Sequence, residues 1–351
     1  MSRWTARTGT RPPHRTAPRT TAGALAGALA AALLLAGCAA GGTVDPGTAA
    51  GSTGTGTDSA TGTTKATDAA TAAAPSAAPT CDDALESYAP ADSLPAPGSM
   101  PAGSTMEAIR ESGALRVGVS ADTLLMGARD PIDGEIEGFD IDVLEDVAEA
   151  IFGEPGHLRL KVITSGQRID VLQDREVDMV ARAFSITCDR WDQVAFSAEY
   201  LHAGQRLLVP RDSDVTDFGD LAGRRVCAPE GTTTLANLER YPDVVPVPAS
   251  THTRCLVMFQ RGEVDAITGD DTILAGFVAQ DPYAKVVGEP ISDEAYGVGM
   301  NADDVDLVRF VNGVLAQRVA DGAWRASYDE WFGVAGEPAP APPTPLYGRT
   351  P

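Results

Sequence analysis

One pattern of apolar and polar positions occurs twice, 87 residues apart. Leu172-Gln-Asp-Arg-Glu-Val-Asp178 runs into Met-Val-Ala, and Phe259-Gln-Arg-Gly-Glu-Val-Asp265 runs into Ala-Ile-Thr. Each copy reads as the end of an amphipathic helix, a tight turn and a short apolar strand. Each strand then breaks into a polar turn that opens a further helix, Ser185-Ile-Thr-Cys-Asp-Arg190 in the first copy and Gly269-Asp-Asp-Thr272 in the second. A strand-to-helix unit used twice predicts two similar α/β lobes. The first unit ends in a cation and the second in an anion, which suits a ligand carrying both charges.

The surrounding pattern extends this architecture. Residues 115–119 and 158–163 read as strands, 139–152 as an amphipathic helix, and 129–138 as a hairpin closing on Asp133-Gly134. Strands alternating with helices predict α/β layers with mixed, largely parallel sheets flanked by helices. Apolar periodicity is continuous from Met106 to about Val334, long enough for two modest lobes with their own cores. The expected crossings between lobes lie at residues 207–211 and 288–296.

Composition changes abruptly outside that region. Residues 1–37 contain Arg3, Arg7, Arg11, Arg15 and Arg19 and no acid, followed by an Ala/Leu/Gly stretch. This is the layout of a secretory signal and is short for a permanent span. Leu35-Ala-Gly-Cys38 resembles the lipobox of bacterial lipoproteins, in which Cys38 would become the lipidated first residue of the mature chain. Residues 38–80 are rich in Gly, Thr, Ala, Ser and Asp, too poor in apolar groups to offset ordering, and read as a flexible tether. An N-terminal extension (81–103), lobe 1 (104–208 with 296–333), lobe 2 (209–295) and a Pro-rich tail (334–351) complete the expected organisation.

The net charge of −22 becomes more negative, near −27, once the five signal arginines are removed. Such a surface argues against nucleic-acid binding. Setting Cys38 aside, Cys81, Cys188, Cys227 and Cys255 form an even set in an exported chain, so disulfides are expected. Three pairings are possible. Placing Cys227 and Cys255 in the same lobe favours Cys227–Cys255, which leaves Cys81–Cys188. No C-x-x-C or H-E-x-x-H spacing occurs, and the acidic 129–138 hairpin has its glycine misplaced for an EF-hand, so neither a metal nor a cofactor is expected.

Ligands of open α/β sheets bind beyond the carboxyl ends of the strands, which directs attention to four junctions. Arg182 interrupts an apolar run and needs an anion, either a ligand or a local carboxylate. Arg190 lies in the first turn of a helix capped by Thr187, where a cation opposes the helix dipole. It could face a ligand carboxylate or a surface partner such as Asp189 or Asp192. Thr232 and Thr233 enter a helix from a Gly/Thr turn, offering hydroxyls and free N–H groups to an anion or simply capping the helix. At Asp270-Asp271 one carboxylate can cap the helix while the other faces the cleft. Together these groups are the minimum set for an α-amino acid.

Gly138-Phe-Asp-Ile-Asp142, Val177-Asp-Met-Val, Ser185-Ile-Thr-Cys-Asp-Arg190-Trp, Val194-Ala-Phe-Ser197, the stretch 217–226 and Val264-Asp-Ala with Asp270 share their order and spacing with a known family. Through them residues 104–333 resemble the extracellular solute-binding proteins of polar amino-acid ABC transporters, of the glutamate-binding lipoprotein type. The resemblance implies two lobes joined by two hinge strands. It implies that Arg190 binds the α-carboxylate with Ser185 and Thr232 or Thr233, and that Asp270 takes the α-ammonium. Arg168 matches an arginine used for a distal carboxylate, and Arg182 stands where many members carry a small residue. The expectation is therefore glutamate or aspartate over the amides. It extends to ABC permease partners, a lipid-held position on the outer membrane face and a monomer. A sensor coupled to a membrane signalling protein would use the same closure. A dehydratase-like enzyme resembling cyclohexadienyl dehydratase would need a carboxylate placed for proton transfer, and no nucleophile–base pair is evident.

Overall fold

The computed structural model describes residues 83–333 and 339–350. The expected signal, lipobox and tether lie outside these residues. The first described strand, β1 (Glu86–Tyr88), precedes α1 (Thr105–Ser112), whose N-cap Ser104 accepts from the Glu107 N–H and whose chain ends at Gly113 in the left-handed region. β2 (Leu115–Val119) follows, with Leu115, Val117 and Val119 fully buried. A small antiparallel sheet of β3 (Asp122–Thr123), β4 (Gly127–Arg129) and β5 (Ile136–Glu137) contains the expected hairpin. The acids of its turn serve the backbone: Asp130 accepts from the N–H of Ile132, and Asp133 from that of Glu135.

Helix α2 (Phe139–Phe152) buries Phe139, Val143, Leu144, Val147 and Ile151, the stripe that its 3.6-residue period dictates. After β6 (Leu158–Val162), α3 (Arg168–Gln173), β7 (Met179–Val180), α4 (Cys188–Trp191) and β8 (Ala195–Phe196), the chain enters β9 (Leu201–Pro210). The second half of the fold contains β10 (Arg225–Pro229), α5 (Thr233–Ala236), β11 (Val245–Ala249), α6 (His252–Gln260), β12 (Ala266–Asp270), α7 (Asp271–Gln280) and β13 (Ala284–Val287). The chain returns through β14 (Asp293–Tyr296) and β15 (Gly299–Met300) to α8 (Val305–Asp321) and α9 (Ala323–Trp331), and ends in β16 (Leu346–Arg349).

Two mixed sheets result. One has the order β6-β2-β7-β15-β8 and the other β11-β10-β12-β9-β13, each with parallel strands on one side and antiparallel strands on the other. They form the cores of the two lobes. The doubled sequence pattern recurs as one repeated device. Asp178 accepts from the Arg116 backbone N–H at 2.8 Å and from its guanidinium, while Arg116 also donates to the carbonyl of Arg175. Asp265 holds Arg225 in the same way, and Arg225 also donates to the carbonyl of Gly262. In each lobe the aspartate ending the phrase fastens the entry of the neighbouring parallel strand.

Strands β9 and β14 connect the lobes. Leu201–Gly204 pair antiparallel with Tyr296–Asp293, and from Gln205 onward β9 belongs to the second sheet. The crossing expected at 207–211 is therefore displaced, since Leu207 and Leu208 already pair with Thr268 and Ile267. A ten-residue strand that changes partners midway leaves no break in its apolar run. The return crossing falls within the expected 288–296. A disulfide joins Cys227 of β10 to Cys255 of α6, as expected, with their Cα atoms 5.6 Å apart. Cys188 is also disulfide-bonded, and its expected partner Cys81 lies outside the described residues. The C-terminal stretch, expected to thin into a tail, instead supplies β16, which pairs in parallel with β1. No helix among the described residues is long and apolar enough to cross a membrane.

Candidate functional site

The carboxyl ends of both sheets face one cleft. Met179-Val180 is followed by a turn in which Ala183 adopts φ of 42°, a left-handed conformation uncommon for a residue with a Cβ. Buried Asp140 fixes that turn by accepting from the Ala183 N–H at 3.0 Å and from the Tyr200 hydroxyl at 2.5 Å. Burial pushes the Asp140 carboxyl up to about 6, opposed by these two hydrogen bonds and by the nearby Arg182 and Arg168. The turn presents the carbonyls of Arg182 and Ala183 to the guanidinium of Arg168, at 3.3 and 2.9 Å.

Arg168 and Arg190 then converge on one atom. Arg168 Nη2 lies 2.9 Å and Arg190 Nη2 3.2 Å from the carbonyl oxygen of Gly231, which belongs to the opposite lobe. Both cations also lie over the Phe184 ring, at 4.4 and 5.0 Å from its centroid. Arg190 donates at 2.5 Å to the Ser185 carbonyl, and Thr187 caps its helix as expected. The surface partners considered for Arg190 do not hold it, because the side chain points inward and is buried. Burial lowers Arg190 to about 10, partly offset by Glu294 and Asp270; Arg168 falls well below its ordinary value through burial and then through Arg190 and Arg182. Two desolvated guanidiniums sharing a neutral carbonyl are poorly compensated, and an anion is the partner their chemistry calls for.

Gly231 makes the approach of the lobes possible. Its φ is +71°, and a Cβ there would lie 2.6 Å from the Cα of Gly166. The narrow cleft behind this contact is lined by Arg168, Ala183, Ser185, Thr232, Thr233, Thr234, His252 and Asp270. Ser185 and Thr233 hydroxyls are 3.4 Å apart, and Thr233 donates to Glu294 at 2.7 Å. Thr232 caps α5, receiving the Leu235 N–H.

At the second lobe the two aspartates divide their roles. Asp271 accepts the N–H groups of Gly204 and Thr272. Asp270 receives the Tyr296 hydroxyl at 2.5 Å on Oδ2, while its buried Oδ1 has no partner among the described residues. Burial, with Glu294 adding repulsion, pushes Asp270 up to about 8.

The structure thus brings Arg168, Ser185, Thr232, Thr233 and Asp270 around one cavity, with Arg190 beside it. Arg182 is set back. Its Nε donates to the Ile163 carbonyl at 2.8 Å and its Nη1 to Ser165 at 2.5 Å, while buried Nη2 has no partner among the described residues. His252, which no sequence motif singled out, also belongs to the cavity. His252 follows the N-cap Thr251 at the end of β11, lines the cavity and leaves Nδ1 buried without a partner among the described residues. Burial, then Arg182 and Arg168, hold it well below the usual imidazole range. Glu294 and Tyr296, in the return strand, were also missed.

Comparison with known proteins places this geometry in context. Residues 115–334 match the model of a family described as bacterial extracellular solute-binding proteins, family 3. The chain is 32% identical over 230 residues to the ABC transporter glutamine-binding protein GlnH of Bacillus subtilis, covering 65% of this chain and 84% of that protein. It is 33% identical over 257 residues to the glutamate-binding protein GluB of Corynebacterium glutamicum, covering 69% and 86%. Among solved structures, a mutant of ArgBP from T. maritima superposes with a TM-score of 0.61 at 30% identity, covering 65% of this chain and 99% of that one.

Proposed function

The chain belongs to family 3 of the bacterial extracellular solute-binding proteins, and from that premise we propose that it is the receptor of an amino-acid ABC importer, capturing glutamate or aspartate by closure of its two lobes. The observation that carries this reading is the convergence of Arg168 and Arg190 on the Gly231 carbonyl, opposite an Asp270 oxygen that has no partner among the described residues. Arg190, with Ser185 and Thr233, takes the α-carboxylate, and Thr232 shapes the turn that delivers Thr233. Asp270 takes the α-ammonium. Arg168 serves the distal carboxylate, with His252 facing the same cavity and Arg182 contributing positive potential from behind Ser165.

Ligand bridging Arg190 in one lobe to Asp270 in the other favours the closed arrangement over the open one, a population shift that a permease can read. Named relatives take glutamine, glutamate or arginine, so the choice of side chain rests on local charge. A neutral amide would leave buried Arg168 poorly compensated, whereas a distal carboxylate compensates it; Arg182, which already has Asp122 and Asp140 near it, adds only positive potential. Export and lipidation at Cys38 would hold the receptor at the outer face of the cytoplasmic membrane.

Calorimetric titration of Arg168→Met and Arg182→Met with glutamate, aspartate and glutamine tests the pocket. The account expects Arg168→Met to lose affinity for the acidic ligands by about 1.5–3 kcal/mol, the scale of a hydrogen bond to a charged group, Arg182→Met to lose less because it makes no ligand contact, and both to lose little for glutamine. Unchanged selectivity in both variants would remove the charge argument.

A further inference from the structure

The two ends of the described chain meet behind the cation cluster. β1 and β16 form a two-stranded parallel sheet in the register Glu86↔Leu346, Ser87↔Tyr347 and Tyr88↔Arg349. β1 is anchored to the first lobe from below. Ser87 donates to the Phe196 carbonyl at 2.8 Å, and Asn312 of α8 donates to Ser87 Oγ and to the Tyr88 carbonyl. Arg349 reaches across the pair, donating from Nε to the Glu86 carbonyl at 2.9 Å and from Nη2 to the Asp83 carbonyl at 3.3 Å.

That guanidinium covers the face of Trp191, 3.9 Å from a ring centroid. Trp191 is the residue after Arg190 and closes the four-residue helix α4. Its indole N–H donates to the Ala84 carbonyl at 2.7 Å, and Tyr88 meets the ring edge-on. From Trp191 an aromatic row leads inward. Trp191 packs on Phe196 at 5.5 Å, Phe196 on Phe184 at 4.8 Å, and Phe184 seats Arg168 and Arg190.

A helix of a single turn has little intrinsic stability, so its orientation depends on what packs against it. We propose that β16, through Arg349, is a positioning strap: the C-terminal strand clamps Trp191 against the aromatic row and so holds Arg190 in the geometry that receives a ligand carboxylate. Arg349 touches no part of the cleft and acts through Trp191. Preorganising a recognition group lowers the ordering cost of binding, so loosening the strap weakens affinity without removing a ligand contact. The effect on ligand rests on the receptor reading above.

The test compares Arg349→Ala and Arg349→Lys with the wild-type chain, and with Arg175→Ala, which removes a surface cation paired to Asp304 away from α4. Three readouts are taken: hydrogen exchange of the amides of residues 187–196 without ligand, affinity for L-glutamate, L-aspartate and L-glutamine, and the unfolding midpoint. The strap predicts faster exchange across 187–196 in Arg349→Ala and affinity weakened by about two- to tenfold, the scale of one lost cation–π contact. Arg349→Lys should be intermediate, and Arg175→Ala should leave both readouts at wild-type values. A lower unfolding midpoint with unchanged affinity, or unchanged exchange across 187–196, overturns the strap. If Arg349→Ala does not fold, Arg349→Lys is read by the same criteria. If the wild-type chain binds none of the three amino acids, the receptor reading fails, and the exchange result alone decides the strap.

Discussion

Buried charge without full compensation is what distinguishes the cleft at the scale of single residues. Arg190 and Asp270 are 9% and 4% exposed, and each relies on partners that leave part of its hydrogen-bonding capacity for something else. Truncating one member of a buried, hydrogen-bonded charge pair costs about 2–5 kcal/mol. Arg190→Ala and Asp270→Ala should therefore each weaken amino-acid binding by at least ~30-fold, read by calorimetry; near-wild-type affinity in either would move the ligand elsewhere. Asp270 also implies a dependence on pH. Its pKa in the fold, about 8, exceeds that of an unfolded aspartate, so its contribution to stability is fully present in acid and is lost as pH rises through the folded value. Asp270→Asn should raise the unfolding midpoint of the ligand-free protein at pH 8, and the advantage should shrink toward pH 5. A constant difference between the two pH values would mean that burial does not hold this carboxyl back from ionising.

At the scale of elements, the doubled phrase was legible because its apolar positions and terminal aspartate have fixed structural work. Asp178 and Asp265 fasten Arg116 and Arg225 in the same way, so the two strand ends emerge in equivalent places. The strand-end rule pointed to Arg190, Thr232, Thr233 and Asp270, which meet at the cleft, and to Arg182, which is set back from it; Ser185 followed from the family resemblance. Other elements left no such trace. β8 and β15 are two residues long, below any period a sequence window can register. β16 forms only by pairing with a segment some 260 residues earlier, so its local composition reads as tail. His252 was overlooked because a lone histidine has no spacing to recognise; its meaning comes from the Arg168 and Arg182 that the fold sets nearby. The Cys227–Cys255 bridge belongs to this scale too, closing a loop with a sequence separation of 28. Replacing both cysteines by alanine should lower stability by about 3–4 kcal/mol in the loop-entropy model, followed by denaturant unfolding. The loop that the bridge closes carries Gly231, Thr232, Thr233 and His252 of the cleft, so amino-acid affinity should fall as well; unchanged affinity in a folded double variant would show that the bridge does not shape the site.

At the scale of the whole molecule, two mixed sheets connected by β9 and β14 place cations on one side of a cleft and a carboxylate on the other. Gly231 and Gly166 allow the lobes to meet there, and the strap formed by the chain ends supports the cationic side from behind. The strongly acidic exterior and the positive interior serve different ends. A net charge of −22 over the whole chain does not prevent a locally positive pocket within it from receiving an anion. The fold, the cleft and the family support a receptor that closes on an amino acid, and the proposed preference for an acidic side chain follows from Arg168, with Arg182 behind it. The most direct test is calorimetric titration of the purified protein with L-glutamate and L-glutamine under identical conditions. The account predicts tight glutamate binding with millimolar or no binding of glutamine, and equal affinity for the two, or a preference for glutamine, would contradict it.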